Sequence, residues 1–293
     1  MTAATTERKV SIASDGLLLA GTLHLPAQDP GAPLPAIIVL HGFGGSMQAP
    51  THRMEAELYA SWGYAVLRID FRGCGESGGE RGNIPCMSAV ADARNALTWL
   101  ASQPEVDGGR IALSGQSYGG AVAVYTAGID DRVAAVISLG GWGNGLTKSR
   151  AQHASDFAWA KFSAMLEEGK RRRDLGQGMT VSRWDIVPIP EHLRSNLPAD
   201  SIMEFPVEVA QSMVDFRAED VVGDIAPRPL LLLHAANDSV TPNEQSIEIM
   251  KRARAGAELM LLNGIDHFPF ANERSRVRSL LGEWLRVYFP LNA

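Results

Sequence analysis

Residues 110–127 read RIALSGQSYGGAVAVYTA, and this stretch decides the fold. Its first apolar run, residues 111–113, is too short for a helix and suits a buried strand. Gly115, Gln116, Ser117, Tyr118 and Gly119 follow, then Gly120 and an Ala/Val-rich segment that reads as a buried helix. Strand, G-x-S-x-G and helix in succession predict a tight, strained turn with the serine at its tip. Side chains two residues either side of that serine would collide with neighbouring backbone, so Gly115 and Gly119 are needed there. The turn would hold the Ser117 hydroxyl at a helix N-terminus, whose N–H groups favour developing negative charge. The competing reading, a glycine-rich connection with an incidental serine, loses to the flanking strand and helix.

A serine hydroxyl is a poor nucleophile until a base takes its proton, and the base must be oriented by a third group. After a nucleophile elbow the partners should follow in the order acid, histidine, each at the carboxyl end of a later strand. Asp238 stands in the segment HAANDSVTP directly after the apolar run at residues 230–233, and His267 stands in NGIDHFP directly after residues 258–262. The competitors are weaker. Asp266 adjoins His267 and reads as a surface or capping residue, whereas Asp224 precedes its strand and would lie at the wrong end. Among the other histidines, His24 sits in an N-terminal hairpin, His52, His153 and His192 fall in helical or inserted segments, and His234 reads as packing. The oxyanion of an acyl-transfer intermediate needs two donors placed beforehand. The backbone N–H of Tyr118 supplies one, and the turn His41-Gly42-Phe43-Gly44-Gly45-Ser46 supplies the other, assigned to Phe43. The His41 side chain is expected to brace that turn.

Outward from the elbow, apolar strands are expected at residues 36–40, 65–70, 133–139, 229–234 and 258–262. Helices are expected at residues 53–62, 87–102 and 243–253, with a last one carrying Val277, Leu280, Leu281, Trp284, Leu285 and Tyr288 as one stripe. Residues 10–14 and 17–25 flank Asp15-Gly16, a hairpin signal. Repeated strand–helix alternation predicts an α/β fold with a mostly parallel central sheet covered by helices on both faces. Residues 144–225 break the alternation and read as a helical lid, leaving core segments at residues 1–143 and 226–293.

The HGF turn, the Asp70-Phe71-Arg72-Gly73 turn that runs on to Ser77, G-x-S-x-G and the late Asp and His together resemble the α/β-hydrolase superfamily over nearly the full length. Within it the chain is similar to bacterial feruloyl (cinnamoyl) esterases and to dienelactone-hydrolase-like or acyl-peptidase-like proteins. The segments containing Gly140-Gly141-Trp142-Gly143 and Trp184 are more loosely similar to monoalkyl phthalate hydrolases. The resemblance implies a cofactor-free serine esterase acting through an acyl-enzyme, with Ser117, Asp238 and His267 catalytic. A small aromatic-acid ester, such as a monoalkyl phthalate or hydroxycinnamate ester, is the expected substrate. Thioester, amide or carbon–carbon hydrolysis on the same residues stays open, as does a non-catalytic binding protein on a hydrolase scaffold.

The lid segment mixes aromatic anchors (Phe157, Trp159, Phe162, Trp184, with Trp142 just before) and cations. The plain reading is lid packing and a solvated basic helix face. The sharper one has Trp142 and Trp184 lining the pocket and one of Arg150, Arg183 or Arg194 pairing with a substrate carboxylate. The net charge of −6 over 293 residues gives no reason to expect nucleic acid or an anionic membrane as partner. There is no apolar leader and no membrane-length run, so the expectation is a cytoplasmic protein. No cluster has metal-ligand spacing, so no metal is expected. Cys74 and Cys86 agree with free thiols, although their proximity leaves a disulfide conceivable, and a homodimer is left open.

Overall fold

The computed structural model of the chain describes residues 5–27, 31–271 and 276–292. It begins with the expected hairpin: β1 (Thr5–Ser14) and β2 (Leu17–Pro26) run antiparallel, with Ser14 opposite Leu17. Asp15 and Gly16 take φ of 47° and 81°, the pair of positive values a two-residue turn of this hand demands. Then β3 (Leu34–Leu40), α1 (Pro50–Ser61), β4 (Ala65–Ile69), α2 (Cys86–Ala101), β5 (Val106–Gln116), α3 (Tyr118–Ile129) and β6 (Val133–Leu139) alternate as read.

An insertion follows, with α4 (Gly145–Gln152), α5 (Asp156–Asp174), β7 (Thr180–Ser182), α6 (Arg183–Ile186), β8 (Glu204–Pro206) and α7 (Val207–Asp215). Alternation resumes with β9 (Leu230–Ala235), α8 (Glu244–Arg252), β10 (Ala257–Leu262) and α9 (Val277–Tyr288). Eight strands form one sheet in the order β1-β2-β4-β3-β5-β6-β9-β10, parallel from β4 onward. The carboxyl ends of β3, β5, β6, β9 and β10 therefore open on one edge, and their loops can meet there.

The strands are apolar throughout because both faces are covered. In β3, Ile37 and Val39 pack with Tyr59 of α1 and Trp284 of α9, while Ile38 and Leu40 face the other way toward α2 and α3. The insertion has no separate core. Its Ile186, Phe205, Val207 and Met213 join the apolar cluster on the α2/α3 face. It also departs from an all-helical reading, since β7 and β8 pair as an antiparallel ribbon. Three-residue strands are too short to show a period of two. Phe157, read as an apolar anchor, is 82% exposed. β5 extends well beyond the apolar run that marked it, because Ser114 and Gln116 are buried strand residues despite their polarity. Among the described residues, no helix is long and apolar enough to cross a membrane.

Candidate active site

The β5–α3 junction explains its own glycines. Ser117 sits at φ 55°, ψ −113°, a region β-carbon-bearing residues avoid, and its N–H donates to the Leu139 carbonyl at 2.8 Å. A β-carbon on Gly115 would lie 2.2 Å from the Gly119 carbonyl oxygen, and one on Gly119 would lie 2.2 Å from that of Leu40. Neither fits. Strand, turn and helix are thus pressed so closely that the serine has one place to go, the carboxyl edge of the sheet.

There the structure brings together three residues far apart in sequence. His267 Nε2 is 2.9 Å from Ser117 Oγ, and His267 Nδ1 is 2.9 and 3.1 Å from the two oxygens of Asp238. Asp238 follows β9, and its Oδ1 accepts the backbone N–H groups of Val240 and Thr241 at 2.8 and 2.7 Å. Burial pushes this carboxyl up. The charge of His267 and hydrogen bonds from His234 and His267 outweigh that and hold it well below the usual carboxylate range. His234 was read from sequence as packing, yet it has a part in this. Its Nε2 is 2.9 Å from the Thr241 carbonyl, which can only accept, so Nε2 carries hydrogen. That hydrogen also faces Asp238 Oδ2 at 3.3 Å, and Nδ1 accepts from the Ser246 hydroxyl at 2.7 Å.

The neighbours hold the geometry. Asp266 accepts from the Ser239 N–H and hydroxyl and from the His267 N–H, tying the acid loop to the histidine loop. Gln116, inside the elbow, donates to the His267 carbonyl at 3.0 Å. Asp224 lies in a 3-10 turn (Val222–Ile225) ahead of β9, away from this edge.

Tyr118 opens α3, and Phe43 lies in the turn after β3. Among the described residues neither backbone N–H donates to a protein acceptor, which leaves both free for an oxyanion. His41 accepts the Phe71 N–H at Nε2, so its Nδ1–H donates to the Gly42 carbonyl at 2.8 Å. Burial lowers its pKa to about 3, and it stays neutral while bracing the turn. Two further residues grip this turn, and neither was foreseen there. Arg183 of α6 donates to the Phe43 carbonyl at 2.7 Å and to the Ile202 carbonyl at 3.1 Å, and His52 Nε2 lies 3.4 Å from the Gly42 N–H.

A small cavity, about 50 Å³, opens beside Ser117 and His267. Of the residues expected to line it, Trp142 and Arg183 do, and Phe43 of the oxyanion turn joins them. Trp184, Arg150 and Arg194 do not. Arg194 stacks on Trp184 and donates to the Ile189 carbonyl. Arg150 lies over Trp159, bonds the His153 carbonyl and pairs with exposed Asp156. Lys148 lines the cavity unannounced by the sequence. The α4 segment has no apolar stripe, its Leu146 and Ala151 being scattered among polar residues; only the i, i+4 spacing of Lys148 and Gln152 marks a shared face. Among the described residues, no group of His, Cys, Asp and Glu could hold a metal ion, and both cysteines are buried free thiols.

A family described as X-Pro dipeptidyl-peptidase (S15 family) matches residues 15–268. The polyketide transferase GrgF of a Penicillium species is 27% identical over 269 residues, 87% of each chain. Its crystal structure superposes with a TM-score of 0.77 at 23% identity, covering 97% of this chain and 99% of that one. The structure of Est1E from Butyrivibrio proteoclasticus with ferulic acid bound gives a TM-score of 0.70 at 19% identity, covering 95% and 98%. The thiohydrolase AneE of Aspergillus aculeatus is 35% identical over 126 residues, 43% of this chain and 38% of that protein.

Proposed function

The chain belongs to the X-Pro dipeptidyl-peptidase (S15) family, with the fold of the α/β-hydrolases, and we propose that it is a serine hydrolase cleaving a small carboxylic ester through an acyl-enzyme. The observation that carries this is the continuous Ser117–His267–Asp238 contact at 2.9 Å per link on the open edge of the sheet. His267 takes the Ser117 proton as Oγ attacks the ester carbonyl, and Asp238 holds the imidazolium that forms. The N–H groups of Phe43 and Tyr118 receive the oxyanion. His267 then protonates the leaving alcohol and activates the water that clears the acyl group. Residues 144–225 act as the lid, supplying Lys148, Gln152, Arg183, Val187, Ile189 and Met213 to the cavity wall.

The ester reading is favoured over dipeptide release by the charge of that wall. A dipeptidyl-peptidase must receive a free α-ammonium, whereas the described residues lining this cavity include Lys148 and Arg183 and no acid. Phe43, Trp142 and Phe268 in the wall suit an aromatic acid, such as a hydroxycinnamate or monoalkyl phthalate ester. A fluorophosphonate probe, which labels only an activated serine, should modify wild-type protein at Ser117 and leave Ser117→Ala unlabelled. Turnover of p-nitrophenyl and aromatic-acid esters should accompany labelling, with X-Pro p-nitroanilides untouched. Absence of labelling in folded protein would sink the serine mechanism. A second reading, thioester cleavage, is favoured by the thiohydrolase and polyketide transferase relatives. Matched oxo- and thioesters of one acid separate the two by kcat/KM.

A further inference from the structure

We propose that Lys148 is the receptor for a free carboxylate carried by the substrate, with Arg183 supplying a second positive charge to the same cavity. The inference rests on the serine-hydrolase reading and decides among the esters that reading allows, in favour of half-esters of dicarboxylic acids, whether or not the acid is aromatic.

Three observations converge on Lys148. It is 2% exposed and lines the cavity that holds Ser117 and His267. Its ammonium forms no hydrogen bond or ion pair among the described residues; it lies 4.5 Å over the Trp142 ring, with the neutral thiol of Cys86 nearby. A lysine buried this far normally has an anion beside it, because desolvating a charge costs several kcal/mol that a ring face repays only in part. Burial brings its pKa down to about 8, so it is still mainly protonated at neutral pH.

The surroundings suit an anion. No described residue lining the cavity is acidic. Arg183 spends two of its nitrogens on the Ile202 and Phe43 carbonyls, and its buried Nε has no acceptor; the buried Trp142 Nε1 has none either. Lys148 and Arg183 thus place two cations in the wall of one small space beside the nucleophile, with no acid among the described lining residues to balance them. Val187, Ile189, Leu197, Met213 and Phe268 make much of the remaining wall apolar and would partly desolvate whatever enters, beside the neutral polar groups of Gln152, Asn196 and Thr241. Charge pairing is strongest in such a setting. The space is about 50 Å³, room for about two waters at liquid density, which suits a carboxylate group.

The test compares a monoester of a dicarboxylic acid with its diester, using monoethyl and diethyl phthalate and monoethyl and diethyl glutarate. Wild-type enzyme should prefer the monoester by about ten- to a hundredfold in kcat/KM. Lys148→Met, which keeps the length of the side chain over Trp142, should bring the monoester down to the level of the diester, and Lys148→Arg should restore part of the preference. A second measurement needs no variant: phthalate should inhibit wild-type hydrolysis of a neutral p-nitrophenyl ester competitively, and phthalamide should not. Equal kcat/KM for both esters in the wild type, or a preference that survives Lys148→Met, overturns the proposal. Fluorophosphonate labelling and turnover of the neutral ester report on the serine mechanism separately, so the receptor can fail while the hydrolase stands.

Discussion

Each of the three residues proposed as the relay is held by a different local device: Ser117 by backbone strain, Asp238 by two backbone N–H bonds, and His267 by hold points at Asp266 and Gln116. Ser117→Ala should lower kcat by about three to six orders of magnitude with KM nearly kept, because the three act as a unit. Asp238→Asn should also be severe, since an amide in that place no longer balances the imidazolium. Asp224→Asn should stay close to wild type, because it lies away from the open edge of the sheet. Steady-state kinetics on one ester decide all three. His234 deserves its own variant. His234→Phe keeps the ring volume but removes the donor facing Asp238, and should lower kcat by about ten- to a hundredfold with KM held. Loss of solubility instead would assign His234 to the core alone.

At the scale of elements, the active edge depends on two junctions. The first is β5–α3, where Gly119→Ala would drive a β-carbon against the Leu40 carbonyl at 2.2 Å. Backbone on that side cannot yield, so the variant should lose soluble yield or lose activity outright. Gly178→Ala has open space within 4 Å and should melt with the wild type. The second junction joins the insertion to the β3 turn, through Arg183 on the Phe43 carbonyl and the Ile202 N–H on the Gly44 carbonyl at 2.9 Å. The insertion thereby holds the turn whose N–H is proposed to receive the oxyanion. Arg183→Met should lower kcat on neutral esters by about tenfold while KM changes less, and lower the melting temperature by a few degrees. Unchanged kcat would release Phe43 from that dependence.

For the whole molecule, the buried charge at Lys148 sets a pH dependence. Its pKa in the folded protein, about 8, lies below the ordinary lysine value of 10.5. Between those values the unfolded chain binds the proton and the folded one does not, so stability rises with pH across the window. Below about pH 8 the penalty is present in full. Lys148→Met should therefore be more stable than wild type at pH 7, by about 1–4 kcal/mol, and the gain should shrink as pH climbs toward 10.5. Thermal melts at several pH values check both the sign and the window. A receptor kept at the expense of stability is the pattern expected of a functional site.

The sequence by itself determined what is local or periodic. Gly115 and Gly119 report a steric limit within five residues, Asp15-Gly16 a turn of two, and the apolar runs of β3, β6 and β9 a sheet covered on both faces. Because parallel strands open their carboxyl ends on one edge, the order Ser117, Asp238, His267 already implied that the three could meet. Only the tertiary structure decided which polar side chains turn inward at that edge. His234 faces Asp238 because β9 and its loop fold back on each other, and Arg183 reaches Phe43 because the insertion lies against the β3 turn. Lys148 enters the cavity while Arg150, two residues on, lies over Trp159 and pairs with Asp156. A buried lysine runs against hydropathy, and α4 has no apolar stripe to orient it. Its direction is set by the packing of α4 on α7, a contact between segments far apart in sequence, so no local pattern carries it.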